Sequence, residues 1–105
     1  MSFEIIRGDY GREYVGVIKG ENLAGTFSTC VIYIWDEDDM TLVDGKSCTI
    51  VDSGADTHLK WTPASGDIPK TTDYTKSYYG LFKMTGTGVA ERTFPFEFVI
   101  KKGEP

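Results

Sequence analysis

The sequence predicts an all-β fold, an antiparallel β-sandwich of seven or eight short strands, from three observations. Apolar residues recur at every second position, most plainly in Phe94, Phe96, Phe98 and Ile100, where a helix would scatter the rings around its circumference. Glycines and turn dipeptides fall between the apolar runs at the spacing of short strands. The richness in Ala, Leu, Glu and Lys that marks a helical protein is missing. The 105 residues fit a single domain, with 102–105 as a frayed tail, and no linker or internal repeat marks a second.

The elements follow in order. Ser2 to Arg7 alternates weakly and reads as a first, edge strand, and Gly8-Asp9-Tyr10-Gly11 is turn chemistry. Arg12 to Lys19 is a second strand, in which Gly16 hints at a bulge or a close backbone approach. After Gly20-Glu21-Asn22 and the short crossing Leu23 to Thr26, Phe27 to Trp35 is the central strand. Its Cys30, Ile32 and Ile34 share one face and Thr29, Val31, Tyr33 and Trp35 the other, both largely apolar. Asp36 to Asp39 turns the chain and Met40 to Val43 runs back; Asp44-Gly45, a strong turn pair, separates that run from a strand over Ser47 to Val51. Asp52 to Asp56 turns again into Thr57 to Thr62, with Leu59 and Trp61 inward and His58 and Lys60 facing water. Pro63 to Thr75 is a long loop, with one helical turn expected around Asp67 to Lys70. Lys76 to Thr85 is a strand whose buried set is Phe82 and Met84, and Gly86-Thr87-Gly88 closes a hairpin into Val89 to Lys101. Pro95 cannot donate a ladder hydrogen bond, which predicts a sheet edge at least on its own side.

The net charge of −5, with Lys and Arg scattered singly apart from Lys101-Lys102, argues against binding nucleic acid, which needs a clustered basic face. No apolar run approaches the ~20 residues that cross a bilayer, so no membrane insertion is expected. The start, Met1-Ser2-Phe3-Glu4, lacks the basic-then-apolar pattern of a secretion signal, and the chain reads as one made in a cytoplasm. Cys30 and Cys48 each sit inside an apolar alternation and read as buried free thiols acting as small hydrophobes, against a disulfide between neighbouring strands.

Few residues carry the pattern of a reactive site. Asp36, Asp38 and Asp39, with Asp44 nearby, form the one candidate for calcium, a cation that takes oxygen ligands. The stretch lacks the sixth-position Gly and twelfth-position Glu of a helix-flanked calcium loop, and the favoured reading is a solvated hairpin tip that discourages edge pairing. His58 alternates with Leu59 and Trp61 and should project from the polar face, with Asp52 and Asp56 close in sequence but no activated nucleophile near. One His and two separated Cys do not make a zinc site, and no enzyme activity is expected. Arg7-Gly8-Asp9 matches a tripeptide that some adhesion receptors read, but three residues match by chance often and the favoured reading is a turn between two strands. Tyr74, Tyr78 and Tyr79 cluster at a loop-to-strand junction, where tyrosine supplies a large face and a polar tip for contacts, although at least one can belong to the core. Tyr74, Tyr79, Pro95 and Glu97 are the interface candidates. A sugar-binding sandwich would need Trp35 and Trp61 on one open face; both are expected to be largely buried.

Four features carry a resemblance. Asn22-Leu23-Ala24-Gly25-Thr26 leads into Cys30-Val31-Ile32-Tyr33-Ile34, and the acidic hairpin Asp36 to Asp39 follows. Then come Thr49-Ile50-Val51-Asp52 with Leu59-Lys60-Trp61, and a Tyr-bearing strand hairpinned into Phe94-Pro95-Phe96-Glu97-Phe98-Val99-Ile100. In this order the chain resembles the N-terminal immunoglobulin-like domain of phage baseplate upper proteins, over most of its length. It departs from that family at the crossing, where members often show Leu-Thr-Gly-Ala, and at Asp38-Asp39, where they commonly turn with Asp-Gly. The resemblance implies an immunoglobulin-like sandwich in a bacteriophage virion, a tail baseplate or fibre-attachment adaptor or a decoration domain. It implies other virion structural proteins, or copies of itself, as partners, and no cofactor. The alternative expectation is a carbohydrate- or calcium-dependent adhesion module.

Overall fold

The computed structural model describes residues 1–103; Glu104 and Pro105, the end of the expected frayed tail, lie outside the described residues. Seven strands and no helix make up the described chain: β1 Ser2–Ile6, β2 Tyr14–Ile18, β3 Thr29–Asp36, β4 Thr41–Ser53, β5 Asp56–Trp61, β6 Tyr78–Gly86 and β7 Val89–Lys101. They hydrogen-bond in the order β1-β7-β6-β3-β4-β5-β2, which puts β3 at the centre, as its doubly apolar pattern demands. Every pairing is antiparallel except β1 with β7, which runs parallel from Ser2 opposite Glu97 to Ile6 opposite Lys101. The sheet is therefore mixed, not purely antiparallel.

The two strands expected over Met40 to Val43 and Ser47 to Val51 are one, because Asp44-Gly45 does not turn the chain. Lys46 pairs with Ile32 and Asp44 with the next residue, Tyr33, leaving Gly45 as an extra residue in a continuous strand. Gly45 adopts φ +66°, so the same left-handed freedom that makes Asp-Gly a turn signal serves a bulge here. The outcome shapes the whole molecule. The first part of β4 pairs with β3 as far as Cys48, and the rest, from Thr49, pairs with β5. A single 13-residue strand thus carries the sheet from one layer to the other.

The two layers close on an aromatic core. Trp61 of β5 meets Phe98 of β7 edge to face at 6.4 Å between ring centroids, and Tyr14 of β2 meets Phe3 of β1 at 6.1 Å. Phe82, Phe96 and Phe3 pack mutually, within the 4.5–7 Å range typical of favourable aromatic pairs. Gly16 is where β2 crosses them: a methyl group on it would sit 2.8 Å from the Phe82 ring and 2.6 Å from Met1 Sδ, so the close approach expected from sequence is real.

Pro95 is more subtle than an edge marker. β7 as a whole is not an edge, since β6 and β1 flank it, but β1 pairs with it only from Glu97 onward. Glu97 N–H donates to Met1 O (3.3 Å), and Pro95, two residues earlier on the same side, faces the place where β1 has not begun. The expected helical turn at Asp67 to Lys70 is absent; the loop is built from turns such as Asp67 N–H to Ala64 O (3.0 Å) and Thr72 N–H to Pro69 O (3.0 Å). Nor is Lys102 simply frayed, because its carbonyl accepts from Arg7 Nε (3.1 Å).

Candidate functional site

Side chains alternate across a strand, so the residues that bury Ile32, Ile34, Phe82 and Phe96 turn their neighbours outward. The register aligns those neighbours across β3, β6 and β7 in three rows: Trp35–Tyr79–Glu97, Tyr33–Leu81–Pro95 and Val31–Lys83–Thr93. Trp35, Tyr33 and Leu81 are half-buried, Tyr79 is 48% exposed, and Pro95 and Glu97 are exposed. The loop before β6 brings Tyr74 beside them. Tyr74, Lys76, Tyr79, Glu97 and Val99 line a groove of about 370 Å³. Of the four interface candidates, Tyr74, Tyr79 and Glu97 thus share one groove, and Pro95 lies one row away. Tyr78 goes inward instead, as strand alternation requires of one member of the pair.

The groove wall is fixed from below. Tyr78 Oη donates to Asp73 O (2.6 Å), and Asp73 Oδ1 accepts from both the backbone N–H (2.9 Å) and the hydroxyl (2.6 Å) of Thr75. The Thr75 donors hold the Asp73 carboxyl below its ordinary pKa, and burial pushes the Tyr78 phenol up. The Arg7 guanidinium lies over the Tyr74 ring at 4.8 Å while donating to Thr72 O (3.3 Å), and Gly8 N–H donates to Ile68 O (2.7 Å). Arg7-Gly8 thereby braces the groove loop. Its guanidinium is engaged internally, which removes support for the receptor-tripeptide reading.

The acidic hairpin is not simply solvated. Asp36 Oδ1 accepts from Met40 N–H (3.0 Å) and Asp38 N–H (2.8 Å), closing the turn in which Asp39 adopts φ +61°. Lys76 then bridges Asp38 (2.9 Å) and Asp36 (3.4 Å), and Glu37 accepts from Ser77 N–H (3.0 Å). The backbone donors, Met40 first, hold the Asp36 carboxyl below its ordinary range, and Asp38 foremost raises the Lys76 ammonium above its own. An ammonium stands where calcium would have to bind. Asp44 lies in β4 opposite Tyr33, and among the described residues no group of three or more His, Cys, Asp or Glu could hold a metal.

His58 pairs in register with Val17 and Val51, half-buried on the other layer. The neighbouring carboxylates are spent on turns: Asp52 accepts from Asn22 Nδ2 (2.7 Å) and Gly54 N–H (2.9 Å), and Asp56 from Gly20 N–H (2.9 Å). Cys30 and Cys48 are both free and stand directly opposite each other, Cys30 buried and Cys48 half-buried. Cys48 Sγ donates to Lys46 O (3.7 Å); interaction between the two thiols favours ionisation of Cys30 and disfavours that of Cys48, while burial opposes ionisation of both. Trp61 is buried as expected, but Trp35 faces outward on the other layer's exterior, so the two-tryptophan sugar platform does not form.

Three residues hold the structure together without a signal in the local sequence. Thr57, fully buried, donates to Glu21 O (2.8 Å) and accepts from Leu23 N–H (2.7 Å), anchoring the crossing to β5. Tyr14 is buried with a hydroxyl that has no protein partner among the described residues, and burial raises its pKa. Lys76, the third, has no local sequence signal, because its partners lie some forty residues away.

No family model matches the sequence, and no curated protein matches it. Among solved structures the chain is similar to a chimeric titin Z1Z2 functionalized with a KLER exogenous peptide from decorin. The identity is 16% and the TM-score 0.36, over 95% of this chain and 85% of that one. A likeness this loose carries no argument.

Proposed function

We propose that this chain is an immunoglobulin-like sandwich acting as a non-enzymatic docking module of a bacteriophage virion. The observation that carries the docking role is the outward row of Trp35, Tyr79 and Glu97 beside the Tyr74 groove. It sets aromatic, apolar and acidic contacts on a rigid sheet. Two features support the immunoglobulin-like reading. The layer of β2, β5 and the later part of β4 faces the layer of β3, β6 and β7, which matches the strand grouping of such domains. The Tyr78 bond to Asp73 O, at the entry to β6, has the form of their tyrosine corner.

The virion assignment rests on the family resemblance of the residue pattern. Its test is twofold: mass spectrometry of purified particles from a producing strain, and the identity of neighbouring genes. The chain found in stoichiometric amount among tail or capsid proteins supports the assignment. Its absence from particles, with metabolic genes on both sides, overturns it. The sugar-binding alternative now rests on Trp35 and Tyr79 alone; quenching of Trp35 emission by saccharides would favour it over protein docking.

A further inference from the structure

We propose that Cys30 and Cys48 form a covalent modification site, a dithiol that a low-molecular-weight disulfide converts into a cross-strand disulfide at the fold of the sheet. This does not depend on the docking role. The chain has two cysteines, and the register sets them directly opposite one another on β3 and β4. Opposed residues of an antiparallel pair have Cα atoms about 4.5–5.5 Å apart, inside the roughly 4.4–6.8 Å that a disulfide spans. Both thiols are free, and only Cys48 is open enough for a reagent to reach.

Their position gives the bond a consequence. Cys30–Cys48 is the last β3–β4 pair; the next β4 residue, Thr49, already pairs with Lys60 of β5. A bond there staples the strand at the point where it leaves one layer for the other, closing an 18-residue separation within a continuous chain (48 − 30).

With glutathione disulfide as the reagent, the Cys48 thiolate attacks one of its sulfurs and expels one glutathione thiolate, which takes up a proton. The Cys30 thiolate then attacks the Cys48 sulfur of the mixed disulfide, and the second glutathione leaves as a thiol. The two cysteines lose two electrons and two protons; the reagent gains both and becomes two thiols. The first step is the slow one, because Cys48 must ionise while hydrogen-bonded and partly buried, so the rate should climb as pH rises.

The test uses the full chain, reduced, desalted and incubated with glutathione disulfide. The expected product is a monomer lighter by two hydrogens in intact mass, with no thiol left to alkylate after denaturation, melting several degrees above the reduced form. Cys30→Ser should trap a stable glutathione adduct on Cys48, whereas Cys48→Ser should leave the buried Cys30 unmodified over the same interval. Two alkylatable thiols persisting in the folded protein would overturn the proposal. So would a disulfide between two copies, a glutathione adduct that never resolves in the unsubstituted chain, or an oxidised form melting no higher than the reduced one. If a variant fails to fold, mass, alkylation and melting of the unsubstituted protein decide alone.

Discussion

Gly80 has no room for a methyl group: a Cβ there would run into the Phe96 ring. Gly80→Ala should therefore destabilise by about 1–3 kcal/mol through overpacking, read as a lower urea midpoint at unchanged slope. An unchanged midpoint would mean that the ring yields freely. Tyr78→Phe keeps the ring in place but leaves Asp73 O without its hydroxyl donor, a loss of roughly 1 kcal/mol by the same assay. Asp36 and Asp73 bind protons less readily folded than unfolded, since their hydrogen bonds favour the carboxylate. What they contribute is fully present above the ordinary aspartate pKa of about 4 and is lost as pH falls through their lower folded values. Melting temperature should drop across that acid range, and Asp36→Asn should flatten the drop. A variant with the parent's pH profile would contradict the assigned role of Asp36. The inward aromatics and the tight Gly16 were legible in the sequence because each follows from local alternation. The partners of Lys76, Thr57 and Tyr78 were not, since the loop geometry that selects them is set by distant chain.

At the scale of elements, strand existence and facing were readable from two-residue periodicity, and the continuity of β4 was not. Asp-Gly signals positive φ, and both a tight turn and a bulge satisfy that demand; only the pairing of Tyr33 with Asp44 and Ile32 with Lys46 distinguishes them. Gly45→Val should cost about 1–2 kcal/mol, the penalty for a side chain in the left-handed region. The parallel pairing of β1 was likewise hidden, because a five-residue strand carries no directional mark. Pro95 was read as a sheet-edge marker; β7 is instead flanked by β6 and β1, and only its part before Glu97 is open on the β1 side. Pro95→Thr restores a donor on that open stretch. Size-exclusion chromatography over a concentration series should then show stronger self-association than the parent's; an elution profile identical to the parent's at every concentration would show that other residues guard the edge.

For the whole molecule, the long β6–β7 hairpin and the layer change in β4 explain the 45 × 24 × 21 Å shape. A 13-residue strand spans about 43 Å by itself. The same architecture leaves two outer faces of different character. One, on β3, β6 and β7, bears Trp35, Tyr33, Tyr79, Leu81 and Pro95; the other, on β2 and β5, bears Val17, His58 and Lys60. Candidate contact residues were recognisable as exposed tyrosine, proline and glutamate on strands, but their convergence required the register. The most direct test of the docking claim places a photo-crosslinking amino acid at Tyr79 and, separately, at Val17, each in particles assembled by a producing strain. The account predicts crosslinks to a neighbouring subunit from position 79 and none from position 17. Crosslinks from position 17 alone, or from neither in particles that contain the chain, would contradict it.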